Sequence, residues 1–114
     1  GLVIYRFDAS LLFFNSDHFK SRVRSIVAEA QTDVRCVLLS AEAMPFVDTT
    51  GPACLEEVCV ELADRGIVFK VAGAKEPVRL MFDLTGLRQH MGPEHFSPTV
   101  AAAVEAFRIR SGTP

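Results

Sequence analysis

Short apolar runs alternate along this chain with segments in which apolar residues recur at helical spacing, and this alternation constrains the fold most. The runs that we predict to be strands are Leu2–Phe7, Leu11–Phe14, Val34–Leu39 and Ile67–Ala72, with a weaker edge strand around Glu94–Phe96. Strands joined through helices pair in parallel by right-handed crossovers. The pattern therefore predicts an α/β fold, with a mixed sheet of four to five strands and about four helices packed mainly on one face.

Start and stop signals mark the helices between these strands. We predict helices from Asn15 or Ser16 to Ala30, from Asp48–Pro52 to Gly66, from Pro77 to Gly86, and from Ser97-Pro98 to about Arg110. The clearest apolar stripe is that of the second helix, where Leu55, Val58, Cys59 and Leu62 follow the i, i+3, i+4, i+7 pattern. We expect the core to include Phe13, Phe14, Phe19 and Phe82, and the tail Ser111–Pro114 to be frayed.

Length and charge exclude several classes of protein. A chain of 114 residues is one domain, 1–114, which we expect to be ordered over about residues 2–110. Its 12 basic and 14 acidic residues give a net charge of −2, so no basic excess indicates nucleic-acid binding. The apolar runs are too short for a membrane span, and no signal peptide is evident. Because the sequence begins without Met, we expect a domain excised from a longer chain.

The cysteine and histidine residues do not form a metal-binding pattern. Cys36, Cys54 and Cys59 lie in apolar surroundings without a C-x-x-C pair, which predicts reduced, buried thiols. The three histidines His18, His90 and His95 are scattered and supply no ligand spacing with the cysteines. We therefore expect no metal and no required cofactor.

The segment from Met44 to Pro52 contains the candidate functional residues. Asp48, Thr49 and Thr50 place a carboxylate and two hydroxyls where a loop enters a helix. One interpretation is helix capping, in which Asp48 or a threonine accepts hydrogen bonds from free backbone N–H groups. The other is an anion site, because helix N-termini favour phosphate, held covalently on Thr49 or as part of a ligand.

The same segment resembles a known family. Phe46-Val47-Asp48-Thr49-Thr50-Gly51 is similar to the signature of STAS domains, in which an apolar residue, Asp, two hydroxyl residues and Gly precede the second helix. A second stretch, Val78–Leu87, resembles the family's helix that ends in Phe-x-x-Ser/Thr-Gly-Leu. The resemblance covers about residues 2–110 and implies the fold shared by anti-sigma-factor antagonists and anion transporters.

The N-terminal part points to one branch of that family. Tyr5-Arg6 and Phe13-Phe14-Asn15 are similar to the cytosolic C-terminal STAS domains of SulP-type sulfate and anion transporters. The short connection Gln31–Asp33 resembles that of the bacterial members. The resemblance implies a regulatory and interaction module, not an enzyme, on the cytoplasmic side of the inner membrane. Its expected partners are the transmembrane domain of the parent transporter and regulatory proteins, and we expect the isolated domain to be monomeric.

The resemblance also implies a nucleotide, GTP, GDP or ATP, at the start of the second helix. The residues that we select for it are Asp48, Thr49, Thr50 and Gly51, with Gly73 at a nearby strand end. No G-x-x-x-x-G-K-[ST] motif is present, so we expect any nucleotide affinity to be modest.

Two alternatives stay open. The first is a stand-alone anti-sigma-factor antagonist switched by phosphorylation at Thr49, although antagonists usually carry Ser there and many relatives carry Asp or Asn in place of Ser40. The second is a nucleotide hydrolase with Asp48 as a Mg²⁺ ligand and His90 or His95 as a base. The basic set Lys20, Arg22 and Arg24 is typical of a solvated helix face, with contact to anionic lipid as the other interpretation.

Overall fold

Four parallel strands form the centre of the fold. The computed structural model describes residues 1–110. The strands are β1 (Leu2–Arg6), β2 (Cys36–Ser40), β3 (Val68–Ala72) and β4 (Phe96–Ser97). They lie side by side in the order β1-β2-β3-β4, and each described pair is parallel. The α/β class is confirmed, whereas the mixed sheet that we predicted is wrong for these residues.

Within residues 1–110, five α-helices connect and follow the strands. They are α1 (Ser16–Glu29), α2 (Thr50–Ala63), α3 (Glu76–Leu84), α4 (Leu87–Met91) and α5 (Val100–Arg110), and a 3₁₀ turn spans Pro93–His95. The short helix α4 was not predicted. The last helix is capped by Thr99, whose hydroxyl accepts from the N–H of Ala102 at 3.0 Å, and not by Ser97 as predicted.

The two faces of the sheet are covered unequally. Alternate strand residues, including Val37, Leu39, Phe69 and Val71, belong to the main core with the apolar sides of the first four helices. On the opposite face, Leu38 and Ala72 pack with Ala103 of α5. Among the described helices α5 is the one that packs there, and outer-face residues such as Ile4 (49% exposed) and Val68 (41%) are partly open.

The predicted strand Leu11–Phe14 is wrong. Leu11 makes one isolated parallel bridge with Val47, and the residues after it form a turn. The side chain of Asn15 holds this turn: its Oδ1 accepts from the N–H of Leu12 at 2.8 Å, and its Nδ2 donates to the carbonyl of Ser10 at 2.8 Å. With no strand at Leu11–Phe14, the described sheet lacks the antiparallel strand that would have made it mixed.

The remaining boundaries agree with the predictions to within about three residues, the largest difference being the end of α2 at Ala63 instead of Gly66. The edge strand is Phe96–Ser97 instead of 94–96. No helix within residues 1–110 combines the length and the apolar composition that crossing a membrane requires. The predicted frayed tail, Ser111–Pro114, lies outside the described residues.

Candidate functional site

The candidate site lies at the carboxyl edge of the sheet, where the loop after β2 leads into α2. The loop begins with a hydrogen bond from the N–H of Ala41 to the carbonyl of Ala72 at 2.8 Å. It then runs beside the segment that follows β1, because Leu11 donates to the carbonyl of Phe46 at 3.1 Å and accepts from the N–H of Asp48 at 3.3 Å. Two loops are thus held together immediately before the helix.

Asp48 is the centre of this arrangement. Its Oδ2 accepts from the N–H of Phe13 at 3.0 Å, and its Oδ1 accepts from the N–H groups of Thr50 at 2.9 Å and Gly51 at 3.2 Å. These hydrogen bonds, that of Phe13 most of all, hold the pKa of the Asp48 carboxyl below its usual value. The capping prediction for Asp48 is confirmed, and the same carboxylate also fixes the loop that contains Phe13.

This geometry limits what the start of α2 can bind. The N–H groups of Thr50 and Gly51 already donate to a carboxylate, and Pro52 has none. Gly51 is buried, and a Cβ there would lie 2.9 Å from the Cβ of Val47. Thr49 is exposed beside these residues. The helix start therefore presents a negative charge and an accessible hydroxyl instead of a set of free amides.

Gly73 lies at the same edge, at the end of β3. Its φ of +75° is a left-handed conformation that favours glycine, and its N–H donates to the carbonyl of Ser97 at 3.1 Å. A Cβ at Gly73 would lie 2.5 Å from the Cγ of Glu42, on the loop after β2. Glu42 thus adds a second carboxylate to the edge that the sequence predicted to bind an anion.

Three phenylalanine side chains lie open to solvent around Asp48. Phe13 is 75% exposed, Phe14 is 77% exposed and Phe46 is 45% exposed, and we call these three the aromatic surface. The prediction that Phe13 and Phe14 belong to the core is wrong, whereas Phe19 and Phe82 are buried as predicted. The signal that could have identified the exposed pair is Asn15, a turn-forming residue placed directly after them.

The other candidate residues are arranged as structural ion pairs or lie away from the helix start. Lys20 donates to Glu57 at 2.9 Å, and Arg24 forms a two-point pair with Glu61 at 2.8 and 2.9 Å, so both join α1 to α2. Arg22 is exposed.

His90 Nδ1 lies 3.4 Å from the carboxylate of Glu56. Glu56 is about 9 Å further along α2 than Thr50, so His90 lies away from Asp48. The Nδ1 of His95 is buried in the 3₁₀ turn without a hydrogen-bond partner among the described residues. Within residues 1–110 no group of three His, Cys, Asp or Glu side chains is placed to hold a metal ion.

The described cysteines are free thiols, and Cys36 and Cys54 are buried while Cys59 is half-buried. Burial raises the pKa of all three, that of Cys54 to about 11. A thiol is nucleophilic only as the thiolate, so these groups are not activated for chemistry. The prediction of reduced, buried thiols is confirmed for Cys36 and Cys54.

Comparison with known proteins identifies the fold and the family. The STAS domain family model matches residues 1–103. A probable sulfate transporter of Mycobacterium tuberculosis is 37% identical over 110 residues, which cover 96% of this chain and 20% of that protein. The chain therefore spans about a fifth of the length of this relative.

Two solved structures show the same architecture at lower identity. The STAS domain of a SulP transporter from Vibrio cholerae has a TM-score of 0.78 at 22% identity, covering 97% of this chain and 84% of that one. The anti-sigma factor antagonist SpoIIAA in its unphosphorylated form has a TM-score of 0.73 at 19% identity, covering 94% and 88%. On the family match and the mycobacterial relative, the chain belongs to the STAS domain family.

Proposed function

We propose that this chain is the regulatory STAS domain of a SulP-type sulfate transporter, and that it acts from the cytoplasmic side by contact with the membrane region of the same protein. The family and the mycobacterial relative support a transporter-associated domain. Transport, sulfate as the cargo and the position below the membrane are parts of the proposal. A catalytic role forms no part of it.

The observation that supports this proposal is the aromatic surface. Aromatic side chains are enriched at protein contact sites relative to the rest of a protein surface. Phe13 and Phe14 are both at least 75% exposed, and Asp48 holds the backbone of Phe13 in place. A rigid loop loses little conformational entropy on binding. We propose that the membrane region contacts the aromatic surface, because about four fifths of the mycobacterial relative lies outside the part that matches this chain.

Nucleotide binding at Asp48, Thr49, Thr50, Gly51 and Gly73 stays a prediction. The carboxylates of Asp48 and Glu42 repel a phosphate at this edge, and the first two helix amides are engaged. We therefore expect contact with protein, and not with GTP, GDP or ATP, to be the main role of the site.

Phosphorylation of Thr49 is the second candidate, favoured by the exposure of this residue beside the aromatic surface. A phosphate there would add a charge of about −1.5 to −2 next to Asp48. This added charge would switch the contact between the aromatic surface and its protein partner.

The experiment is sulfate uptake by the full-length gene product in cells, with Phe13→Ser and Phe14→Ser introduced together. We expect uptake to change by about fivefold or more, because loss of a regulatory contact is typically worth that factor. The matched control is Leu84→Ser, which removes an 81% exposed apolar side chain from α3. The control should leave uptake unchanged, and both variants should keep the normal amount of protein in the membrane.

Equal uptake by wild type, double variant and control would contradict the docking role. A full-length gene product that contains only this domain would contradict the transporter assignment and favour the stand-alone antagonist.

A further inference from the structure

A cleft lies at the opposite edge of the sheet from the candidate site, where the strands begin. It is formed by the loop before β2, the loop before β3 and the C-terminal half of α5, and its volume is about 470 Å³. This volume is within the range of sites that hold small molecules. The residues named so far as a candidate site belong to the carboxyl edge, so this cleft is a separate region.

The cleft collects positive charge from four parts of the chain. Its lining residues include one carboxylate, that of Asp33, and four cations: Arg35, Arg65, Lys70 and Arg110. Four cations and one anion leave a net charge of +3 in a protein whose total is −2. Arg35 has Asp33 at 3.8 Å, but Arg65, Lys70 and Arg110 have no ion pair within 4.0 Å in the described part of the chain. Such a concentration of unpaired cations attracts an anion.

Lys70 is the central cation of this cleft. It lies in the middle of β3, and the residue as a whole is only 7% exposed. Its ammonium makes no hydrogen bond or ion pair within residues 1–110, but the nitrogen itself keeps contact with solvent and is open to the cleft. A bound anion would therefore give this ammonium a direct partner. Its charge also acts on the neighbouring thiol of Cys36, where it lowers the pKa against the larger effect of burial.

The remaining walls of the cleft are apolar. Val34, Val68 and Phe107 line it together with the cations. A cleft of about 470 Å³ is larger than an inorganic oxyanion needs, and its apolar walls suit a carbon skeleton. Guanidinium groups bind phosphate and sulfate at two points, as they bind carboxylates.

We propose that this cleft binds a small organic anion that bears a phosphate or sulfate group, with the anionic group at Lys70, Arg65 and Arg110 and the apolar part against Phe107. The phosphate of a lipid headgroup has the same chemistry as that of a free organic phosphate. The test therefore separates the two sources.

The experiment is a calorimetric titration of the 114-residue chain with 1-naphthyl phosphate, 1-naphthyl sulfate and inorganic phosphate, and a separate flotation assay with phosphatidylglycerol vesicles. We expect saturable binding of a naphthyl anion, and binding at least about tenfold weaker for inorganic phosphate, which lacks the apolar part. Binding to vesicles and to neither naphthyl anion would assign the cleft to a lipid headgroup, the other source of the same chemistry.

The decisive variant is Lys70→Met, which keeps the buried stem and removes the charge. We expect it to weaken binding of the naphthyl anion, or of the vesicles, about tenfold or more, because a charge-assisted hydrogen bond is worth that factor. Lys75→Met, which removes an exposed cation before α3, is the matched control and should bind as wild type does. Equal binding by Lys70→Met and wild type, or no binding of any probe, would overturn the proposal.

Discussion

The two edges of one parallel sheet differ in charge, packing and surface. At the carboxyl edge, Asp48 and Glu42 place carboxylates beside three exposed phenylalanine rings. At the amino edge, Lys70 and three arginines surround a cleft with an apolar wall. Ligands of open α/β sheets usually bind beyond the carboxyl ends of the strands. Here the charges reverse that expectation for anions, so we propose protein contact at the carboxyl edge and anion binding at the amino edge.

The largest predicted difference between the edges concerns packing. Gly51 of the carboxyl edge is enclosed, since a Cβ there would lie 2.9 Å from Val47 Cβ and 3.1 Å from the carbonyl oxygen of Leu11. Gly66 of the amino edge has a φ of +74° but open space around it. We expect Gly51→Ala to lower the free energy of unfolding by about 2–3 kcal/mol. We expect about 1 kcal/mol for Gly66→Ala, where only the left-handed backbone is penalised. Urea denaturation of both variants checks this order, and a larger loss at Gly66 would reverse the comparison of packing.

The next prediction concerns the concentration of cations at the amino edge. Without a bound anion, Lys70→Met removes one of four neighbouring cations and keeps an apolar chain of similar length. Because repulsion among like charges is relieved, we expect the free energy of unfolding to rise by about 1 kcal/mol, measured by urea denaturation in buffer free of phosphate and sulfate. Lys75→Met, at an exposed position, should change it by less than about 0.5 kcal/mol. A clear loss of stability in Lys70→Met would show that the ammonium is satisfied by the protein itself.

A smaller effect is expected from pH at the carboxyl edge. The folded-state pKa of Asp48 is lowered, so its contribution to stability is complete above its unfolded value of about 4 and is lost as pH falls through the folded value. Asp48→Asn keeps a capping side chain without the charge. The difference in urea midpoint between wild type and Asp48→Asn should therefore be present at pH 7 and shrink toward pH 2.

Glu61, whose pKa is lowered mainly by its hydrogen bond from Arg24, titrates in both proteins and should leave a common residual slope. A midpoint difference that is the same at pH 7 and pH 2 would contradict the role of the Asp48 charge.

The smallest predicted effect is a difference in alkylation rate between two buried thiols. Cys36 lines the amino-edge cleft beside Lys70, whereas Cys54 lies in the first turns of α2, where its Sγ is 3.7 Å from the carbonyl oxygen of Ser16. Burial raises the pKa of both thiols. The charge of Lys70 partly offsets this at Cys36, whereas at Cys54 the carboxylates of Glu57 and Asp17 oppose the lowering by Lys20. We expect slow alkylation of both in the folded chain at pH 8, with Cys36 faster than Cys54, measured by mass spectrometry of iodoacetamide-treated protein. Faster alkylation of Cys54 would contradict this assignment.

The carboxyl edge was largely predictable from the sequence because its signals are local. Asp48 caps α2 within a motif of six consecutive residues, and helical periodicity placed Leu55 and Leu62 in the core. The prediction failed at Leu11–Phe14, since four apolar residues in a row carry no period and cannot distinguish a strand from a turn. Asn15, a turn-forming residue directly after this run, was the one signal that Phe13 and Phe14 belong to a turn.

The amino-edge cleft could not be predicted in the same way. Its cations are separated by 30, 5 and 40 residues along the chain, from Arg35 through Arg65 and Lys70 to Arg110. No local spacing relates them. Only the parallel topology, which brings the loops before β2 and β3 to one edge, and the direction of α5 across the outer face place them together.

The central claim, that the aromatic surface contacts the membrane region of the same protein, is tested most directly by cross-linking. A photo-reactive phenylalanine analogue placed at Phe14 of the full-length gene product would be irradiated in native membranes, and its cross-linked peptides identified by mass spectrometry. The same analogue at Leu84 is the control. We predict a cross-link from position 14 to a peptide of the membrane region and none from position 84. Cross-links from both positions alike, or none from position 14, would contradict the claim.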